Sequence, residues 1–371
     1  MKLIIIFLFS FVASCEKDHS QNLKESQLGL LWSYFTEFSS APTAEPLLID
    51  NAIFITGGLA LHKVSNLDGS RIWMKSISGT ASSLRNDRFV YNENTIIGLQ
   101  PYKIHAFDMA LGDEVWTTVF PDSLNLYTLS MGARFENTAY YNTVRGYLLK
   151  VDMLTGKFEI LQKFPFKFRN INVFDNGDLL IPYEQSLSDE PPFPYRAVMG
   201  RWRPTTKEWI WEYELKSGGN FSILYPQIEN NIVYSGLTNA GFIAIDATTG
   251  KEIWKTIKTG LITGFHVLTP DTIFALARNR VYALDRHTGE LLWETEPMGI
   301  SESTRIHYKN GYVYWCHNNG IFIYDAKTGK QVHYQRHEFG GYIWTSTMAE
   351  DRLLVQTSSH LLAYELYNPE E

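Results

Sequence analysis

Cysteine is almost missing from this chain of 371 residues, which has only Cys15 and Cys316. Two thiols exclude a disulfide framework, so stability has to come from packing, and a chain this long can bury a large core. Long hydrophobic runs are missing too. The apolar stretch from Leu3 to Ala13 is about eleven residues, short of the roughly 20 that a membrane-spanning helix needs, and no later segment could span a bilayer. Positive charge is in deficit: 33 Lys and Arg stand against 40 Asp and Glu, a net charge of −7. Without a basic stripe, nucleic acid is excluded as a partner. No G-x-S-x-G, P-loop, G-x-G-x-x-G, C-x-x-C or H-E-x-x-H occurs, so no metal site and no catalytic set is marked.

The front end is patterned. Lys2, the apolar run and the small residues before Cys15 read as a secretory signal. Val12, Ala13, Ser14 and Cys15 resemble the lipobox of bacterial lipoproteins, which implies cleavage after residue 14 and acylation of Cys15. Residues 1–14 are then signal peptide and 15–27 a polar tether without periodicity. Glu16 is not the aspartate that retains many enterobacterial lipoproteins at the inner membrane, which favours an outer-membrane anchor, facing the periplasm.

A repeat organises the rest. Asp-x-x-x-Gly-x-x-x-Trp occurs intact at Asp108, Gly112, Trp116; at Asp246, Gly250, Trp254; and at Asp285, Gly289, Trp293. Degenerate copies end at Trp73, Ile160, Trp211 and His333, so the final positions are separated by 43, 44, 51, 43, 39 and 40 residues. That is the period of a four-stranded propeller blade. In "FIAID" both alternating sets are apolar or small, as expected of a sheet covered on both faces. The Asp accepts backbone N–H bonds in the turn, Gly supplies positive φ, and the Trp covers the neighbouring blade. The acidic residues in or beside these turns, Asp68, Asp108, Asp152, Asp246, Asp285 and Asp325, are therefore read as turn chemistry.

The phrase "AIDATTGKEIW" resembles the tryptophan-docking motif of the quinoprotein-type (PQQ-like) propeller repeat family, over about residues 28–368. The resemblance implies an all-β, eight-bladed propeller of four-stranded antiparallel blades, with seven blades as the alternative. Seven marked units end at 333, and the remainder supplies about three strands. Trp32 lies 41 residues before Trp73, one full period. The segment "LGLLWSY" is thus expected to close the last blade beside the C-terminal strand.

Trp73, Trp116, Trp211, Trp254 and Trp293 share one repeat position and are assigned to packing. Trp202, Trp315 and Trp344 lie off it and are the candidates for a ligand platform, such as a glycan or small-ligand site. The fourth unit is about eight residues longer than its fellows, and the surplus falls in "EQSLSDEPPFPYR", Glu184 to Arg196. This insertion lies between the second and third strands of its blade, on the face opposite the Asp-x-x-x-Gly turns. There Asp189, Glu190, Phe193 and Tyr195 are candidate partner-binding residues, with prolines reducing the ordering cost of binding. Family dehydrogenases carry a vicinal cysteine pair against the quinone and calcium ligands. This chain has no adjacent cysteines, so no cofactor is expected. The chain resembles lipid-anchored scaffolds of outer-membrane protein assembly, which implies a non-catalytic, monomeric subunit of an envelope complex whose protein partner is not written in the sequence.

Overall fold

The computed structural model describes residues 28–36, 44–57, 60–76, 88–100, 102–121, 132–168, 170–187, 195–215, 223–238, 241–257, 262–277, 280–297, 305–318, 320–339 and 341–370. Eight antiparallel sheets follow one another in chain order as the blades of a propeller. Blades 1 to 7 span Leu47–Ser76, Val90–Val119, Ala133–Lys163, Lys167–Glu214, Ile223–Ile257, Ile262–Glu294 and Ile306–Arg336. Blade 8 spans Ile343–Glu365 and takes its outermost strand from the other end of the chain, Leu30–Phe35. The pairing is antiparallel, with Trp32 opposite Ala363, Ser33 opposite Leu362 and Phe35 opposite His360. The closure expected from the sequence is present, and the ring has eight blades.

Each blade is buried on both faces. Phe242, Ile243, Ala244 and Ile245 are consecutive and all 0% exposed, so neighbouring blades cover the two sides of the strand alike. Blade 4 departs from the others in its first strand, which is split into Lys167–Phe168 and Asn172–Val173, both paired with the second strand.

The repeat phrase works as a joint between blades. Asp246 Oδ1 accepts from the backbone N–H groups of Thr248 and Thr249 at 3.1 and 2.7 Å and from the Thr249 hydroxyl at 2.8 Å. These donors, the Thr249 hydroxyl first, hold its carboxyl below the usual carboxylate range. Gly250 closes the turn at φ +71°, a left-handed conformation that side chains resist. The indole of the preceding blade packs on that glycine: Trp211 on Gly250, and likewise Trp32 on Gly69, Trp73 on Gly112, Trp116 on Gly156, Trp254 on Gly289 and Trp293 on Gly329. Each indole N–H donates to the carbonyl one residue after the turn-starting position, for example Trp211 to Ala247 at 2.9 Å and Trp293 to Ala326 at 3.0 Å. Burying an indole removes 150 to 250 Å² from water, worth roughly 4 to 6 kcal/mol as an upper bound.

Where the tryptophan is missing, so is its glycine. Blade 3 has Ile160 at the docking position, and the facing turn of blade 4 ends in Lys207 at φ +60°. With no indole to receive, a Cβ is tolerated there. Blade 7 has His333, and blade 8 has no such turn, because its third and fourth strands come from opposite ends of the chain.

Candidate binding faces and central channel

Antiparallel connectivity gives the disc two different faces. The turns joining first to second and third to fourth strands share one face, as the bonds from Ala247 N to Asn231 O and from Met153 N to Asn137 O at 2.9 and 2.8 Å show. The hairpins joining second to third strands lie on the opposite face.

The hairpin of blade 4 is the most extended on that opposite face. Leu179–Ser186 and Tyr195–Arg203 pair over eight positions, from Leu179 opposite Trp202 to Ser186 opposite Tyr195. The equivalent ladders of blades 1, 2, 5, 6 and 7 have six. Two additional pairs carry the hairpin about 7 Å further. Its base is braced: Phe166 stacks on Tyr183 with centroids 3.6 Å apart, Tyr183 donates to Glu212 at 2.5 Å, and Arg196 meets Glu214 at 3.1 Å. The expected loop from Glu184 to Arg196 is thus shorter than the sequence implied. Glu184, Gln185, Ser186, Tyr195 and Arg196 are paired strand residues. Tyr195 opens the third strand; Asp189, Glu190 and Phe193 lie outside the described residues, as does Cys15.

The ligand-platform candidates are not brought together. Trp202 and Trp315 are each 1% exposed. Trp202 lies in the cluster between blades 3 and 4 with Phe164 edge-on to it, and Trp315 stacks on His317 between blades 6 and 7. Neither offers a face to a ligand, which corrects that expectation: both are in inner strands covered on both sides, so leaving the docking position did not bring them to the surface. Trp344 is 39% exposed, on the innermost strand of blade 8.

The central channel, walled by the innermost strands, holds charges that the sequence did not single out. Arg305, at the start of blade 7, forms a close ion pair with Glu45 at the start of blade 1 and lies over the Phe265 ring of blade 6 at 4.0 Å. Phe265 stacks on Tyr225 of blade 5 with centroids 4.2 Å apart. Burial pushes the Glu45 carboxyl up, outweighing the opposing pull of Arg305 and Arg88. Burial and the like charge of Arg305 lower Arg88. Arg88 donates to Asn172 Oδ1 at 3.2 Å, and both line a cavity of about 470 Å³ with Tyr91, Arg134 and Glu136. Glu45, Arg88 and Arg305 share a repeat position, one or two residues before each blade's first strand. That phase is the signal by which the sequence alone could have found them.

Comparison with known proteins agrees with this architecture. A family model described as outer membrane protein assembly factor BamB matches residues 196–368. BamB of Escherichia coli (strain K12) is 29% identical over 33% of this chain and 34% of its own length. The crystal structure of BamB from Moraxella catarrhalis superposes with a TM-score of 0.71 at 14% identity, over 92% of this chain and 98% of that one. The chain is an eight-bladed propeller, similar to BamB over its C-terminal half. Quinohemoprotein alcohol dehydrogenase ADH-IIG of Pseudomonas putida is also similar, 22% identical over 93% of this chain and 52% of that protein. The chain spans about a third to a half of the length of the first curated relatives it matches, 35%, 52% and 33%.

The described residues do not fit a quinone–calcium centre. Cys316 is buried inside blade 7 without an adjacent cysteine, and among the described residues no three His, Cys, Asp or Glu side chains gather as metal ligands.

Proposed function

We propose that this protein is a non-catalytic, lipid-anchored scaffold of the bacterial envelope that holds a protein partner on the hairpin face of its disc. The observation that carries this reading is the braced, eight-pair hairpin of blade 4. Its strands end at Ser186 and Tyr195, two pairs further than in most of the other blades, on a support whose geometry is fixed by stacking and ion pairing. Prolines at 191, 192 and 194 lower the ordering cost of binding, and Phe193 and Tyr195 supply anchor area. The match of residues 196–368 to the BamB model supports a partner in outer-membrane protein assembly. In this reading Cys15 carries lipid at the outer membrane, the disc faces the periplasm, and the chain is one subunit of a larger complex.

The test is capture of the tagged protein from detergent-solubilised envelope membranes. The wild type is expected to retain a stoichiometric envelope protein, and Phe193→Ala with Tyr195→Ala to lose it at an unchanged melting temperature. Equal recovery by both removes the loop from the account.

A further inference from the structure

The turn face carries an apolar sector that the propeller itself does not use. Leu67, Leu111 and Leu154 sit at the turn tips of blades 1, 2 and 3 and are 69%, 68% and 60% exposed. At the same two tip positions, blades 4 to 7 carry Thr205 and Thr206, Thr248 and Thr249, His287 and Thr288, and Lys327 and Thr328. The sector is therefore confined to three consecutive blades.

Leu111 replaces a residue with a structural task. At its position Thr155, Thr249, Thr288 and Thr328 donate their hydroxyls to the turn aspartate. Leu111 supplies only its backbone N–H to Asp108, at 2.7 Å. The turn forgoes a hydrogen bond and gains no burial, so the leucine has no part in folding. Two nearby carboxylates are held within the protein: Asp113 pairs with Lys75 at 2.7 Å, and Asp68 accepts from Ser70 N and Oγ at 3.0 and 2.8 Å.

The chain's N-terminal side reaches the disc at the same place. The outermost strand of blade 8 starts on the turn face, where Glu365 N donates to Gly29 O at 2.9 Å. Trp32, four residues beyond Leu28, donates to Asn66 O at 3.2 Å, and Asn66 immediately precedes Leu67. Twelve residues, 16–27, separate Cys15 from this point, a reach of about 40 Å at full extension.

We propose that the turn-face rim of blades 1 to 3 rests on the lipid bilayer, with Leu67, Leu111 and Leu154 in the interfacial region. This rests on the reading of Cys15 as a lipid anchor, and it deepens that reading by fixing which face the anchor draws down. Three apolar tips and a nearby acyl chain are two membrane signals acting together, the arrangement that makes surface attachment stable and oriented. The hairpin face of blade 4 then points away from the membrane.

The experiment places an environment-sensitive fluorescent amino acid singly at position 111 or, on a polar blade of the same face, at position 248. The full chain is reconstituted on phosphatidylethanolamine–phosphatidylglycerol vesicles that contain brominated lipid. Quenching at 111 is expected to exceed that at 248 by about threefold or more. Equal quenching overturns the proposal. Flotation of Cys15→Ser on the same vesicles reports on the anchor separately. If that variant floats as the wild type does, the anchor reading fails, and the quenching ratio still decides the patch. A full chain that does not float removes both.

Discussion

The indole of Trp254 packs on Gly289 of the next blade, and its Nε1 donates to the Arg286 carbonyl at 3.1 Å. One side chain thereby covers a glycine at φ +74° and satisfies a turn carbonyl. Trp254→Ala is expected to cost about 3–5 kcal/mol, as core aromatic truncations do. Gly289→Ala meets both the indole and the left-handed backbone, and its cost exceeds the about 1–2 kcal/mol of the conformation alone. Thr205→Ala, in an exposed turn of blade 4, is expected to stay within about 0.5 kcal/mol. Urea unfolding midpoints check all three, and a Thr205 loss comparable to that at Trp254 contradicts the assigned joints.

Ring closure predicts that the N-terminal strand is as important as any internal one. Trp32 packs on Gly69 as Trp254 packs on Gly289. Trp32→Ala is expected to lower stability by about 3–5 kcal/mol in the same urea series. A cost under about 1 kcal/mol means that the closing strand does not bind the last blade to the first.

Cys316 is 0% exposed, and burial pushes its thiol up to about 12. Thiolate is the reactive form. The native protein is therefore expected to leave Cys316 unmodified by iodoacetamide at pH 8, with full modification in denaturant. Rapid native labelling contradicts the packing of blade 7.

His307 is held near pKa 4 by burial and by the charge of Arg305, below the ordinary histidine value of about 6.5. The folded pKa is depressed, so between about 6.5 and 4 the unfolded chain binds the additional proton and stability falls as pH falls. His307→Gln removes this contribution. Urea midpoints from pH 7 to pH 4 are expected to fall less steeply in the variant than in the wild type, with parallel curves as the contrary result.

The period and the joints were legible because they are local. Asp246, Gly250 and Trp254 repeat at a fixed spacing, and each residue's task follows from turn geometry and burial. Blade closure was legible from one number, the period between Trp32 and Trp73. The channel charges left only a phase in the sequence, one or two residues before a first strand; that Glu45, Arg88 and Arg305 meet follows only when blades 1, 2 and 7 close the ring. Trp202 and Trp315 were misread for another reason. Their surroundings, "VMGRW" and "YVYWC", lack the polar alternation of a half-exposed strand, and in a blade covered on both sides an off-phase indole is still interior. The blade 4 insertion was placed correctly between the second and third strands, but its ends, through Ser186 and from Tyr195, are paired strand.

Photo-crosslinking in intact cells tests the two-faced scaffold most directly. A photoreactive amino acid at Phe193, in the segment joining the second and third strands of blade 4, is expected to capture a discrete envelope protein, while the same group at Thr248 on the turn face captures none. Absence of a product from position 193, or the same product from both positions, contradicts it.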